Sequence, residues 1–448
     1  MAGPGLGHIV AELKSVDTVR PAGRVSHIAA GLVRVTGLSA HAAMGDRVRL
    51  LSNVGSPTEG EVVALGPDDI AILMDGSADG HSTDDRAILL GSDRIAPDAS
   101  WLGRVIDPSG KALDSRPLLS GTDPRPINRP PDAATGRRGL GARMATGLAV
   151  FDTMLPLVRG QRIGLFAGSG VGKSTLLAQL AQGVEADVVV IALVGERGRE
   201  VRHFIENVLG PRGMEKAVVV AATSDLPALR RRRALGTAMA VAEHFRDGGA
   251  HVLLLADSVT RFAEAHREVA LAAGEQSSLQ GFPPSLPHLV ASMAERAGPG
   301  SDGQGDITAV FSVLVAGSDM EEPVADMMRG VLDGHVVLDR DIAERGRFPA
   351  VDVLRSVSRS LPEAASAEEN ALISLARRRL GTYDRGALMV QSGLYQAGAD
   401  PELDAAVSVW PGLDAFIGQA SHNGVAASFE ALALCLAGGA AGGPGSEG

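Results

Sequence analysis

Hydrophobic residues in the first quarter of the chain alternate with polar residues over short runs. Turn segments such as "GPDD" and "DGSADG" separate the runs, and no stretch of helical spacing comes between them. Alternation with a period of two is typical of strands that have one buried face. We therefore predict a small β-barrel domain for residues 21–91. The runs that predict its strands are "GRVSHI", "LVRVTG", "DRVRLL", "GEVVAL" and "IAILM".

The pattern changes in the middle of the chain to continuous apolar runs that alternate with helical segments. A strand that is apolar on both faces is buried on both, as in a parallel sheet covered by helices. We therefore predict an α/β nucleotide-binding domain of the P-loop type for residues 92–355. Its parallel strands are predicted at "VVVIALVG", "AVVVAAT", "HVLLLAD" and "ITAVFSVLV".

Strand-like runs stop beyond residue 356, and apolar residues take helical spacing in "AEENALISLARRRL" and "ELDAAVSVWPGLDAFIGQ". We predict a helical C-terminal domain for residues 356–437. The glycine-rich tail, residues 438–448, has little to bury and is expected to be disordered. The N-terminal segment, residues 1–20, receives no assignment.

Composition narrows the class of protein. The 448 residues contain 42 Lys and Arg against 53 Asp and Glu, a net charge of −11, which argues against binding nucleic acid over the whole surface and leaves local basic patches as the alternative. Aromatic residues make up only 3%, too few for base-stacking platforms. The one cysteine, Cys435, excludes an internal disulfide framework and suits a reducing cytoplasm. Neither a signal peptide nor a membrane-spanning run is found, so we expect a cytoplasmic chain.

The stretch "FAGSGVGKSTLL", residues 166–177, matches the phosphate-binding pattern G-x-x-x-x-G-K-[ST] except that Ala167 stands at the first glycine. It follows the strand-like run "RIGLF" and opens a helical pattern, which is the context that a P-loop needs. Lys173 would reach the β- and γ-phosphates, and Ser174 could ligate Mg²⁺. The alternative is a glycine-rich turn without a ligand. The predicted binding residues are Gly168, Ser169, Gly170, Val171, Gly172, Lys173, Ser174 and Thr175.

Hydrolysis needs carboxylates near the phosphates, and two predicted strands end on acidic residues. Asp257 ends "HVLLLAD", where an acid can hold Mg²⁺ through water; the alternative is a cap after a buried strand. Glu196 and Arg197 end "VVVIALVGER", where a carboxylate can polarise the attacking water; the alternative is a structural salt bridge. With Lys173, these three residues are the catalytic candidates.

At these residues the chain resembles the flagellar protein-export ATPases. Their close relatives are the type III secretion ATPases of injectisomes and the catalytic subunits of rotary ATP synthases. The resemblance runs from about residue 20 to 420. The segments that carry it, in family order, are "GLFAGSGVGKSTLL", "LVGERGREV", "LLLADSVTRFAEAHREVAL", "VLDGHVVLDRDIAERGRFPAVDVLRSVSR" and "YQAGADPELDAAV".

The resemblance implies roles for residues whose type and position alone would not indicate a function. Glu196 resembles the family's catalytic carboxylate, and Asp257 matches its Mg²⁺-linked acid. Phe348 stands where an aromatic ring stacks on adenine, although many relatives have Tyr there. Arg359 matches an arginine finger offered to a neighbouring subunit's nucleotide. Without the family, Phe348 would be interpreted as a core aromatic and Arg359 as a solvated surface residue.

One chain that carries both Glu196 and Arg359 would form complete sites at every interface of a ring of identical copies. This combination favours a head-to-tail homo-oligomer, which is hexameric in the family, with ATP and Mg²⁺ bound at the interfaces. The family also implies a coiled-coil stalk protein, a regulator that holds the ATPase at the inner membrane, chaperone–substrate complexes and the export gate as partners. The chain is then peripheral to the membrane.

Four other interpretations are weighed. An injectisome ATPase is not distinguished from a flagellar one. A rotary synthase subunit should have a longer C-terminal domain with an acidic segment, and no acidic run follows residue 400. A hexameric RNA translocase should have a basic, aromatic barrel, but residues 20–90 contain no Phe, Tyr or Trp. Glu196 argues against a non-catalytic regulatory subunit.

The basic run "LRRRRALG", residues 229–236, is predicted to be a solvated helix face, with a pore or partner contact as the alternative.

Overall fold

The computed structural model of the chain describes residues 19–438 except 30, 53–54, 279–280 and 316–319, together with Gly7 and Leu13. The rest of the unassigned N-terminal segment, and from residue 439 onward the tail for which disorder is predicted, lie outside the described residues.

The alternating runs near the N-terminus form antiparallel strands that close into a barrel in the order β1-β2-β5-β4-β3-β6. Every second residue of these strands points inward, so that Val33, Val35, Ile70 and Ile72 are fully buried. The predicted barrel is thereby confirmed. Its strands are β1 (Ala22–Ala29), β2 (Leu32–Thr36), β3 (Arg47–Leu51), β4 (Thr58–Leu65), β5 (Asp69–Met74) and β6 (Arg86–Gly91).

The apolar runs form the strands of one large sheet, in the order β17-β16-β10-β15-β13-β11-β12-β8. Neighbouring strands are parallel, except that β17 runs antiparallel to β16 and β14 runs antiparallel to β15. The predicted α/β fold is confirmed. The strands that follow the barrel are β7 (Arg94–Ile95), β8 (Arg104–Ile106), β9 (Arg125–Pro126), β10 (Arg162–Ala167), β11 (Val188–Glu196), β12 (Ala217–Thr223), β13 (Val252–Asp257), β14 (Gly298–Pro299), β15 (Asp306–Leu314), β16 (Gly334–Leu338) and β17 (Val351–Ser358).

Helices cover both faces of this sheet and bury its continuous apolar strands, as a parallel sheet requires. Two short 3-10 helices span Ala99–Trp101 and Ala134–Gly136. The other described helices are α1 (Ala149–Asp152), α2 (Lys173–Gly183), α3 (Gly198–His203), a π-helix (Phe204–Leu209), α4 (Gly210–Met214), α5 (Ala228–Asp247), α6 (Val259–Ala272), α7 (Leu286–Arg296), α8 (Pro323–Val331), α9 (Arg340–Glu344), α10 (Ala367–Gln391), α11 (Pro401–Ile417) and α12 (Gly424–Leu436).

The C-terminal helices α10 to α12 confirm the predicted helical region. Helix α10 begins with a capping box, in which the Ser366 hydroxyl accepts from the Glu369 amide and the Glu369 carboxylate accepts from the Ser366 amide. Apolar residues of these helices, including Leu413 and Phe416, share one core with Leu165 of β10 and Val353 of β17. The helical region therefore packs directly on the nucleotide-binding sheet.

The prediction of a solvated face for residues 229–236 is wrong. Arg232 pairs with Glu61 of the barrel, and Arg233, only 4% exposed at its side chain, pairs with Asp75 and Asp93. Consecutive arginines on a helix point in several directions, so part of the run must face the interior. The acidic partners of Arg232 and Arg233 lie more than a hundred residues away in sequence, and a local pattern cannot reveal them. The run joins the nucleotide-binding domain to the barrel.

Candidate active site

Three parallel strands bring the candidate residues to one edge of the sheet. Strand β10 ends at Ala167 and runs into the glycine loop, β11 ends at Glu196, and β13 ends at Asp257. The carboxyl ends of parallel strands meet at the same edge, where ligands bind in open α/β sheets. The order β10-β15-β13-β11 leaves one strand between the loop and Asp257, which sits beside β11 in register with Leu193.

The glycine loop adopts a backbone that side chains disfavour. Gly170 has φ of 78° and Gly172 has φ of 86°, both in the left-handed region. Gly172 caps helix α2, so that Lys173 is its first residue and the loop amides gather at the positive helix end. Ala167, which replaces the first glycine of the motif, is a fully buried strand residue paired with Leu314. The substitution therefore lies in β10 and leaves the turn itself unchanged.

Lys173 lies between the two carboxylates. Its ammonium donates to Asp257 Oδ1 and is 3.9 Å from Glu196 Oε1. The hydroxyl of Ser312 on β15 donates to the same Asp257 oxygen at 2.7 Å. Asp257 is 3% exposed, and these two donors compensate for the burial of its polar oxygen. Sequence reasoning missed Ser312, whose only signal is a polar residue within an apolar strand.

Glu196 titrates near neutral pH. Burial and, to a lesser degree, the negative charge of Asp257 together raise the pKa of its carboxyl to about 7, although the Lys173 ammonium partly opposes both. A carboxyl with a pKa close to the working pH can accept and release a proton during a reaction. The arrangement thus separates one carboxylate held by two donors from one that is poised to exchange its proton.

A cleft of about 150 Å³ connects these groups. Ser174, Glu196 and Asp257 line it beside Glu200 and His203, while apolar side chains from β11 and the π-helix close the other wall. Sequence reasoning missed Glu200, His203 and the π-helix, because a π-helix has the same local pattern as an α-helix. Of the remaining loop residues, Val171 is buried, and Ser169 and Thr175 are exposed.

The structure does not bring Arg197 into this group. Arg197 precedes helix α3, its side chain is 67% exposed, and its guanidinium faces Glu200 at 3.6 Å.

Phe348 lies at the glycine loop. A Cβ added to Gly172 would be 3.1 Å from the ring of Phe348, so the ring packs against the loop backbone. The residue is 51% exposed, which leaves ring surface available to a ligand. The prediction places an adenine base here, and the geometry is compatible with it.

Arg359 lies at the opposite edge of the sheet. The start of β17 pairs Val351 with Leu338 beside Ala167, whereas its end pairs Ser358 with Gly334 at the start of β16. A strand of this length spans roughly 23 Å, at about 3.3 Å per residue. Arg359 is exposed and donates to the carbonyl of Arg329 at 3.3 Å. It therefore cannot contact the glycine loop of its own chain.

The fold and the glycine loop with its two strand-end carboxylates define a P-loop nucleotide hydrolase that also carries a barrel and a helical C-terminal region. Residues 147–358 match the ATP synthase alpha/beta family, nucleotide-binding domain, and residues 365–433 match the T3SS EscN ATPase C-terminal domain. The chain belongs to the ATP synthase alpha/beta family and is an ATP hydrolase.

Flagellum-specific ATP synthases and a type 3 secretion ATPase are similar to the chain over most of its length. The chain is 42% identical to the flagellum-specific ATP synthase of Caulobacter vibrioides, over 92% of this chain and 94% of that one. It is 45% identical to the flagellum-specific ATP synthase of Salmonella typhimurium, over 71% and 70% of the two chains. The SPI-2 type 3 secretion system ATPase of Salmonella typhimurium is also 45% identical, over 72% and 74%.

Solved structures agree with the sequence relatives. The assembled ATPase EscN of the enteropathogenic E. coli type III secretion system superposes with a TM-score of 0.84 at 34% identity, over 92% of this chain and 100% of that one. EscN in complex with its central stalk EscO gives a TM-score of 0.83 at 36% identity, with the same coverage. Among the described helices of the present chain, none has the length and apolar character needed to cross a membrane.

Proposed function

We propose that the chain hydrolyses ATP at the interfaces of a homo-oligomeric ring and that this hydrolysis drives type III protein export, in the flagellar branch. The observation that carries the proposal is the separation of Arg359 from the glycine loop of its own chain. A head-to-tail ring joins two different surfaces of the same chain, so it can bring the Arg359 surface of one subunit to the ATP site of the next. Each site would then combine Glu196 of one subunit with Arg359 of its neighbour.

Within one subunit, the loop amides and Lys173 hold the phosphates of ATP, and Phe348 supports the base. Lys173 can exchange its carboxylate partners for phosphate oxygens, which are also anionic. Glu196 orients the attacking water and accepts its proton, consistent with a pKa near neutral. The neighbour's Arg359 stabilises charge that develops on the transferred phosphoryl group, an effect worth about 10³–10⁵ in rate.

The residues present also fit a magnesium ion. The Ser174 hydroxyl and the Asp257 carboxylate line the same cleft, and hard oxygen donors of this kind suit Mg²⁺. Asp257 would act through the hydration shell of the ion. When bound, Mg²⁺ would neutralise charge on the β- and γ-phosphate oxygens.

The export role rests on the relatives. The flagellum-specific ATP synthase of Caulobacter vibrioides is 42% identical over 92% of the chain, which supports the flagellar branch. The flagellum-specific and SPI-2 ATPases of Salmonella typhimurium are both 45% identical over 71% and 72% of the chain, so an injectisome role is the alternative. EscN forms an assembly and binds a central stalk, EscO. By analogy, the chain would bind a coiled-coil stalk protein, a regulator, the export gate and chaperone–substrate complexes, as a cytoplasmic protein peripheral to the inner membrane.

Deletion of the gene in its own organism tests the export role. Secretion of flagellar filament protein into the medium and swimming should both be lost, and both should return with the wild-type gene but not with a Glu196→Gln gene. Loss of virulence-type secretion with normal swimming would assign the chain to an injectisome. Normal secretion of both kinds would refute an export function.

A further inference from the structure

Arg359 follows the last residue of β17, and two of its neighbours in the fold share one buried amide. Gln161, the residue before β10, is fully buried. Its side-chain Nε2 donates one hydrogen bond to Ser358 Oγ at 3.1 Å and another to the carbonyl of Asp333 at 3.2 Å. That same carbonyl accepts the backbone N–H of Arg359 at 3.0 Å. One NH₂ group therefore contacts both Ser358, the residue before Arg359, and the carbonyl that accepts the Arg359 N–H.

The remaining polar atoms fix the orientation of this amide. Gln161 Oε1 accepts the Val158 amide at 3.0 Å, so the NH₂ group must face Ser358 and Asp333. Ser358 Oγ donates onward to the Pro156 carbonyl at 2.7 Å. Asp333 is in turn held by Arg162, whose Nε donates to Oδ2 at 3.0 Å. Ser358 Oγ also pairs with Ser360 Oγ at 2.8 Å. The hydrogen bonds at both ends of the Gln161 amide therefore restrict its rotation.

We propose that Gln161 is a positioning residue for Arg359. Through Arg359, Gln161 would act on the ATP site of the neighbouring subunit. The inference rests on the proposed shared site. A rigid support matters here because an arginine reaching across an interface must meet developing charge within a fraction of an ångström, and a misplacement of about 1 Å can cost about 10²-fold in rate. The guanidinium itself is exposed and donates to the Arg329 carbonyl near the end of helix α8, so the backbone position of Arg359 determines where the side chain reaches.

The position of Gln161 allows an effect on Arg359 to be distinguished from structural damage to the ATP site of the same chain. Strand β10 begins immediately after Gln161 and ends at the glycine loop, roughly 20 Å away at about 3.3 Å per residue. If Gln161 only stabilised β10, its loss would damage the ATP site of its own chain. If it positions Arg359, its loss would damage the site of the next subunit. These two outcomes differ in which partner variant can restore activity.

The test uses Gln161→Met, which keeps the length of the side chain and removes its donors. Alone, the variant should bind a fluorescent ATP analogue within about 3-fold of wild type, while kcat falls about 10- to 100-fold with little change in KM. Mixed with Glu196→Gln subunits, which supply an intact Arg359, it should regain activity. Mixed with Arg359→Ala subunits it should not. Native mass spectrometry reports whether the mixed rings form.

A mixture of Glu196→Gln with Arg359→Ala tests the shared site independently. Suppose that this mixture regains activity. The positioning role is then wrong if Arg359→Ala subunits restore the activity of Gln161→Met, or if Gln161→Met alone has the wild-type kcat. If that mixture stays inactive in confirmed mixed rings, the shared site is wrong and the role of Gln161 falls with it.

Two further variants guard against misfolding. Ser358→Ala removes one acceptor of the amide and should give a smaller loss of kcat with the same pattern of restoration; if Gln161→Met does not fold, this pattern decides the matter. Gln304→Met is the matched control, because Gln304 lies at the same edge of the sheet but its amide donates to Asp247 at 3.0 Å rather than to β17. Its kcat should stay within 2-fold of wild type, and a loss equal to that of Gln161→Met would overturn the proposal.

Discussion

The raised pKa of Glu196 predicts that the wild-type carboxylate lowers the free energy of unfolding and that Glu196→Gln increases it. The pKa rises from the ordinary value of 4.5 to about 7, so the folded state binds the proton more tightly than the unfolded state. The free energy of unfolding therefore falls as the pH increases through the window between these two values. Above it, the loss is complete, about 3 kcal/mol at 1.36 kcal/mol per pKa unit. Glutamine carries no charge at any pH and avoids this cost.

Thermal unfolding of the nucleotide-free protein at low concentration measures the effect. At about pH 8, Glu196→Gln should raise the Tm of the nucleotide-binding domain by roughly 6–12 °C, at about 2–4 °C per kcal/mol for a domain of this size. At about pH 5.5, where the folded wild type is already protonated, the gain in stability should shrink to about 1 kcal/mol.

Glu206→Gln is the matched control, because Glu206 is 63% exposed and pairs only weakly with Arg202 at 3.9 Å. Its Tm should change little at either pH. A Glu196→Gln protein that is no more stable than wild type at pH 8, or whose gain is the same at both pH values, would refute the reasoning about the buried charge.

Three further predictions concern other parts of the molecule. Lys173→Ala should abolish binding of a fluorescent ATP analogue or its hydrolysis, because Lys173 is the ammonium that lies between Asp257 and Glu196; wild-type turnover would contradict the phosphate site. Phe348→Ala should weaken ATP binding by about 1–3 kcal/mol through lost stacking, while Phe348→Tyr should keep it; equal affinity of the alanine variant in a binding titration would remove the adenine assignment. Arg233→Ala should cost about 3–5 kcal/mol in thermal unfolding, since it leaves Asp75 and Asp93 buried with less compensation; Arg340→Ala, at a 76% exposed side chain, is the control and should cost little.

Local pattern predicts the barrel, the parallel sheet and the strand-end placement of Glu196 and Asp257. Periodicity and the glycine loop are encoded by residues that are close in sequence, so their physical causes can be read locally. A role for Phe348 beside the nucleotide was predicted only through the resemblance to a family, and the packing of its ring on Gly172 is seen in the structure alone.

Other features depend on contacts between distant segments. The burial of Arg233 depends on acids from the barrel, and the hydrogen bond from Ser312 to Asp257 depends on the order of strands in the sheet. The distance of Arg359 from its own glycine loop follows from the antiparallel direction of β17, which no local pattern distinguishes from a parallel strand. The hydrogen bonds from Gln161 to Asp333 and Ser358 likewise join segments that are far apart in sequence.

The central claim is that each ATP site is shared between two subunits, and mixing two inactive variants tests it most directly. Glu196→Gln and Arg359→Ala should each be nearly inactive as pure rings while still binding ATP. In mixed rings, random assembly places an intact Glu196 site against an intact Arg359 in about one interface in four. ATP hydrolysis should then return to as much as about a quarter of the wild-type rate if sites act independently. Mixed rings that native mass spectrometry confirms and that stay inactive would contradict the shared site, as would an Arg359→Ala ring with wild-type turnover.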